Sequence, residues 1–362
     1  MQRKAFNTAN SVLLLDTSLA PSNPQKLYSH TDSVNRNIST SICIFTIIYA
    51  SGGDGGGGCG DSVGDGGDSG DGGGGGGDGG GGGNSKPITV PGNTLAEKFQ
   101  WLETNAKSNS SYILEVTSDE YLIPQSFAYG LGITIRLKGI GNPKEITTNS
   151  FKIRYGVTLI LDENIILKGS ISIYNGNLIM NKGAKISNGD GAGVYVYGYN
   201  DSGTFTMNGG EISGNTGGGV CVYDGGKFTM KDGEISGNTT QSGYGGGGVY
   251  VGDNGTFTMN GGKISGNICI SSVPWMINSY YYGGGVYVAS SGTFIKSGGG
   301  TITGYDSDPV NGNVVKDTDG VVQSNMGHAV YNSYPVRRRE TTAGPEVNLY
   351  PRVGDGAGVW EE

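Results

Sequence analysis

The stretch GGGVYVGDNGTFTMNGGKISGN, residues 246–267, decides the fold. It holds three short segments, VYV, TFTM and KIS, in which apolar and polar residues alternate. A period of 2 puts successive side chains on opposite faces, which is the pattern of half-buried strands. Gly, Asn and Asp separate the segments and let the chain bend sharply. Three strands in so short a length make one rung of a parallel β-helix. A propeller blade needs four strands in roughly 40–45 residues.

Working outward, the unit recurs. GTFTMNGGEISGN occupies 203–215, GKFTMKDGEISGN 226–238, GTFTMNGGKISGN 255–267 and GTFIKSGGGTITG 292–304, and a weaker GNLIMNKGAKISN lies at 176–188. Successive starts are 27, 23, 29 and 37 residues apart, a minimum length with insertions. A short strand precedes each strong block: GVYV at 193–196, GVCV at 219–222, and GVYV again at 248–251 and 285–288. Stacked rungs place Val194, Val220, Val249 and Val286 in one inward column. Phe205, Phe228, Phe257 and Phe294 form another, and Ile212, Ile235, Ile264 and Ile302 a third. No single rung buries its apolar face alone, so the array is the folding unit.

Such an array needs covered ends. TLAEKFQWLETNAK, 94–107, reads as a capping helix. Thr94 and Glu97 form a capping box, and Leu95, Phe99, Leu102 and Ala106 share a face. Irregular strands at 112–116, 133–139, 157–161, 165–167 and 171–173 supply early rungs, and GHAVY at 327–331 a degenerate last one. The solenoid domain is thus expected over 87–350, with its clear repeats at 176–304 and a C-terminal cap or tail at 334–362.

Upstream the composition changes. Of the 33 residues 51–83, 22 are Gly and most others Asp or Ser. Such a stretch buries no apolar surface, so 51–86 reads as a flexible acidic linker. Residues 1–50 read as a disordered N-terminus. SICIFTIIYA at 41–50 is too short to span a bilayer but fits the apolar core of an export signal. Cys59, in GGGC, matches a lipoprotein cleavage box poorly. The expected location is the cell surface or the exterior.

The motifs GGGVYV and TFTMNGGEISGN resemble the repeats of Gly-rich, right-handed, pectin-lyase-like parallel β-helix surface proteins of spirochaetes and gut bacteria. The resemblance implies a right-handed coil and an adhesin-like role.

The 362 residues carry 71 Gly and a net charge of −8, a balance that disfavours a nucleic-acid partner. Two His and four scattered Cys build no metal cluster, and no cofactor motif is present. Three surface features are candidates. Tyr195, Tyr250 and Tyr287 fall on outward positions of the VYV segments, with Cys221 interrupting them; stacked Tyr offers a platform for sugar rings or a partner. An insertion at 268–282 carries Trp275, Tyr280, Tyr281 and Tyr282, a composition typical of interaction loops. Glu211 and Glu234 stack one rung apart with Lys263 continuing the column, a carboxylate pair or a solvated face. His328 lies apart, in the terminal rung. The expectation is a non-catalytic protein that binds a glycan or a protein on a host or neighbouring cell. A polysaccharide lyase or glycoside hydrolase, and a passive spacer, are the alternatives.

Overall fold

The computed structural model describes residues 86–129, 132–198, 203–241, 245–271, 282–289, 291–296, 299–323 and 327–332. It also describes two short strands, Ala5–Thr8 and Ser11–Leu14, which pair antiparallel within a separate N-terminal unit. The segments expected to be linker, export signal and C-terminal tail, and Cys59, lie outside the described residues.

The main unit is a right-handed parallel β-helix with three walls, each named here for its inward residue. The Phe wall has nine parallel strands, from Ile88–Thr89 at one edge to Thr293–Lys296 at the other. The Ile and Val walls diverge from one long strand, Ile165–Tyr174. Its first half pairs with Lys185–Ser187 and leads down the Ile wall, while its second half pairs with Val194–Tyr197 and leads down the Val wall.

Register is strict because a slip of one residue would exchange the inward and outward faces. Phe205, Phe228, Phe257 and Phe294 are fully buried, with ring centroids 4.7, 4.7 and 5.0 Å apart and planes nearly parallel. Met207, Met230 and Met259 form the next column, which ends at the buried Lys296. The inward Val and Ile columns run as the sequence implies.

The corner between the Ile and Val walls depends on two devices. Gly214, Gly237 and Gly266 turn there in the left-handed region at φ +69°, +65° and +67°. The buried Asn that follows each one, Asn215, Asn238 and Asn267, joins a ladder completed by Asn313. Each Nδ2 of the first three donates to the Oδ1 of the next, at 2.8, 2.9 and 2.8 Å. Backbone N–H groups share the same acceptors.

Glycine at the entry to each VYV strand has a different cause, the lack of room. A Cβ on Gly219 would sit 2.5 Å from the Gly248 carbonyl oxygen and 2.7 Å from Ile235 Cγ2. A Cβ on Gly237 meets nothing within 4 Å, so only its positive φ matters. Gly219→Ala is expected to cost about 3 kcal/mol through overpacking, and Gly237→Ala about 1 kcal/mol through backbone strain. Urea unfolding of the two variants checks this, and equal losses would contradict it.

The capping helix runs Leu95–Asn105, with both bonds of the Thr94/Glu97 box formed. Leu95, Phe99 and Leu102 are buried, and Phe99 packs on Phe127 and Phe151 of the first rungs. The Glu120 carboxylate accepts the Leu95 N–H and fixes the positive end of the helix.

Several elements differ from the sequence reading. Residues 165–167 and 171–173 belong to one strand, carried past Gly169 by a register shift. Lys144–Arg154 is a long strand that the sequence reading did not include. Val314–Asp317 is another. It joins Thr239–Thr240 and Ile268–Ser271 in a small three-stranded sheet, so the start of the 268–282 insertion is built into the solenoid.

Candidate functional site

The outward side of the Ile wall carries the most developed site. Lys185, Glu211, Glu234 and Lys263 stand in register on four successive rungs. The turns entering those strands, with Lys182, Gly210, Asp232 and Gly233, form the facing side. Together they line an open groove of about 550 Å³ that runs across several rungs. Small residues are required along it: a Cβ on Gly210 would lie 2.5 Å from the Ala184 carbonyl oxygen, and one on Gly233 would lie 2.6 Å from that of Gly210. Ser187, Ser213, Ser236 and Ser265 continue the same strands two positions on.

The charges along the groove alternate in blocks. Lys182 and Lys185 lie toward the first rungs, the three carboxylates in the middle and Lys263 beyond. Lys185 Nζ is 2.8 Å from Glu211 Oε1, which also accepts the Ser213 hydroxyl at 2.6 Å. Partial burial acts to raise the Glu211 pKa. The hydrogen bonds from Lys185 and Ser213 and the Lys185 charge outweigh it, so the carboxyl lies below its ordinary value. Glu211 is therefore held ionised at neutral pH, as a hydrogen-bond acceptor. No group of three or more His, Cys, Asp or Glu able to hold a metal occurs among the described residues.

The sequence placed Glu211, Glu234 and Lys263 in one column, and the structure brings them together. Lys185 was missed, although the signal was present: the weaker block at 176–188 carries it at the equivalent position. Lys182 and Asp232 were missed because turn residues have no fixed facing in a period-2 pattern.

The tyrosine platform is corrected. Tyr195, Cys221, Tyr250 and Tyr287 do share a column on the outer side of the Val wall, which Tyr331 extends. Tyr250 and Tyr287 are nevertheless 1 % and 3 % exposed, packed with Cys221, Ala192 and Ala289. Tyr195 is half-buried, and its hydroxyl accepts the Ala192 N–H at 2.9 Å. Their outward faces are covered by this packing, and the rings also stack. Tyr174, Tyr197, Tyr223, Tyr250, Tyr287 and Tyr331 form a continuous pile with centroids 4.9–5.9 Å apart. Ring faces used by neighbours are not available to a ligand. The pile steps from one column to the next at Gly252, where a side chain would strike Tyr223 and Tyr250.

The aromatic insertion is corrected in part. Tyr282 is 1 % exposed and packs with Cys269 and Val315, and Ile268–Ser271 is a strand of the small three-stranded sheet. Both ends of the insertion thus belong to the core. Trp275, Tyr280 and Tyr281 lie outside the described residues. Among the described residues no helix is long and apolar enough to cross a membrane. No family model, curated protein or solved structure matches this chain.

Proposed function

We propose that this chain is a non-catalytic, adhesin-like protein of the cell surface or exterior that binds an extended polysaccharide along the groove of the Ile wall. The observation that carries this is the register-locked row Lys185–Glu211–Glu234–Lys263. It spans several rungs and sets charged donors and acceptors at the rung spacing, about 4.8 Å. Sugar hydroxyls are both donors and acceptors, and charge-assisted bonds to them are the stronger kind. A site whose lining runs across several rungs suits a polymer rather than a small molecule. A paired, ionised Glu211 supports binding over acid catalysis, because a general acid must hold its proton near neutral pH. The surface location is supported by the apolar segment 41–50 and the acidic Gly-rich stretch at 51–83.

Glu234 and Lys263 sit at the groove's surface, so reversing their charges leaves stability within about 0.5 kcal/mol. The Glu234→Lys/Lys263→Glu variant is expected to bind a retained polysaccharide at least about tenfold more weakly, a loss of about 1.4 kcal/mol. Affinity electrophoresis in polysaccharide gels reads this. Unchanged retardation would remove the groove from the proposal and return attention to 272–281. A deletion testing that loop must stay within those ten residues, since removing 268–282 would excise the central strand of the small three-stranded sheet.

A further inference from the structure

His328 is 1 % exposed in the last described rung. Its main chain continues the Val wall: the Gly285 N–H donates to the His328 carbonyl at 2.9 Å. Its ring has another task. Nδ1 accepts the Val315 N–H at 3.0 Å. Val315 belongs to Val314–Asp317, whose strand partner is Ile268–Ser271 in the small insertion sheet. The imidazole therefore joins two sheets that share no strand. Tyr305 packs against it, ring centroids 5.6 Å apart.

An accepting Nδ1 requires a neutral ring with its proton on Nε2. A second proton would turn Nδ1 into a donor facing another donor, and would bury a charge. We propose that His328 is an acid-released latch: on protonation the bond to Val315 is lost, and the terminal rung parts from Val314–Asp317, opening this end of the solenoid.

The surroundings agree with that direction. Burial lowers the His328 pKa from its ordinary 6.5, and the charge of Asp306 opposes the shift without reversing it. Besides Tyr305 and Asp306, the titratable groups on the elements packed here are Lys316 and Asp317 on the latched strand, Cys269 on its partner, and Tyr282, Tyr287 and Tyr331 alongside. Asp317 is occupied by the Asp319 and Val321 N–H groups and the Gln323 side chain. A lowered folded pKa means that the unfolded or opened form binds the proton more tightly. The latch's contribution is complete above about pH 6.5 and is lost as the pH falls below it.

Hydrogen exchange of the full chain, corrected for intrinsic rates, tests this at about pH 7.5 and about pH 5. Protection of the Val315 amide is expected to fall about tenfold on acidification, since losing one hydrogen bond of about 1.4 kcal/mol is a factor of ten. In His328→Asn a carboxamide oxygen can take the place of Nδ1 and does not titrate, so protection should hold at both pH values. Equal protection in the wild type, or an equal loss in His328→Asn, would overturn the latch. Should that variant not fold, the wild-type imidazole shifts decide. A midpoint below 6.5 that moves together with the Val315 amide supports the latch, and a midpoint at or above 6.5 refutes it. The chain's other histidine, His30, is separated by His30→Gln.

Discussion

Asn238→Ala is expected to cost about 3 kcal/mol, a large effect for an uncharged polar residue. Asn238 lies in the middle of the corner ladder and is fully buried. Its Oδ1 takes both the backbone N–H of Asn215 at 3.1 Å and the Asn215 Nδ2 at 2.8 Å. Its own Nδ2 gives to the Ile212 carbonyl at 3.0 Å and to Asn267 Oδ1 at 2.9 Å. Truncation leaves donors and acceptors on both adjoining rungs buried without partners. The cost of each is about 1–3 kcal/mol before relaxation. Asn238→Asp sharpens the test. A carboxylate offers two acceptors, so one oxygen would face the Ile212 carbonyl and Asn267 Oδ1. Burial would raise the folded pKa of that carboxyl above its unfolded value. The folded state then binds the proton more tightly, and stability falls as pH rises through this range. Asn238→Asp should therefore be closer to wild type near pH 4 than at neutral pH, as read by urea unfolding at both. A pH-independent deficit would mean that the ladder is not the source of the effect.

Phe228→Ala is expected to cost about 3–5 kcal/mol, the range for emptying a buried aromatic site. Phe228 lies between Phe205 and Phe257 at 4.7 Å on both sides, so one substitution removes two stacking contacts and leaves a cavity across two rung interfaces. In a solenoid stability is close to a sum over rungs and their interfaces. The loss should then be local. Hydrogen exchange should quicken most in Thr204–Met207 and Thr256–Met259 and least at the capping helix. Uniform acceleration along the chain would instead indicate a single cooperative unit. Phe228→Leu should recover part of the loss, since it refills most of the volume.

The architecture was legible because each level of the sequence repeats the same instruction. The TFTM, EIS and VYV segments alternate with period 2, recur in one order, and place like residues in register. Stacking then has only one arrangement that buries Val, Phe and Ile together. The capping helix was legible for a local reason, its Thr94/Glu97 box. Lys144–Arg154 was not, because a strand in an irregular early rung needs inward Ile146, Phe151 and Ile153 but interrupts their alternation at the bulge opposite Gly169. The Asn ladder was overlooked for a different reason. Asn after Gly reads as turn chemistry, and its burial arises only from the coincidence of successive corners.

The site was half legible. Alternation separates inward from outward residues, which is how Glu211, Glu234 and Lys263 were found in one column. It does not report whether an outward face is open. Tyr250 and Tyr287 occupy outward positions and are still buried, packed with Cys221, Ala192 and Ala289. Charged side chains at rung spacing stay apart or pair, as Lys185 does with Glu211, and so keep their faces open. That difference moves the proposed binding surface from the Val wall to the Ile wall.

The most direct test of that proposal takes the full chain through a panel of acidic and neutral polysaccharides, with and without calcium. Retention and new reducing ends or unsaturated uronate are read in the same samples. The account predicts retention by at least one polysaccharide, abolished in Glu234→Lys/Lys263→Glu, with no product at any time. Product formation that disappears with Glu211 or Glu234, or an absence of retention across the panel, would contradict it.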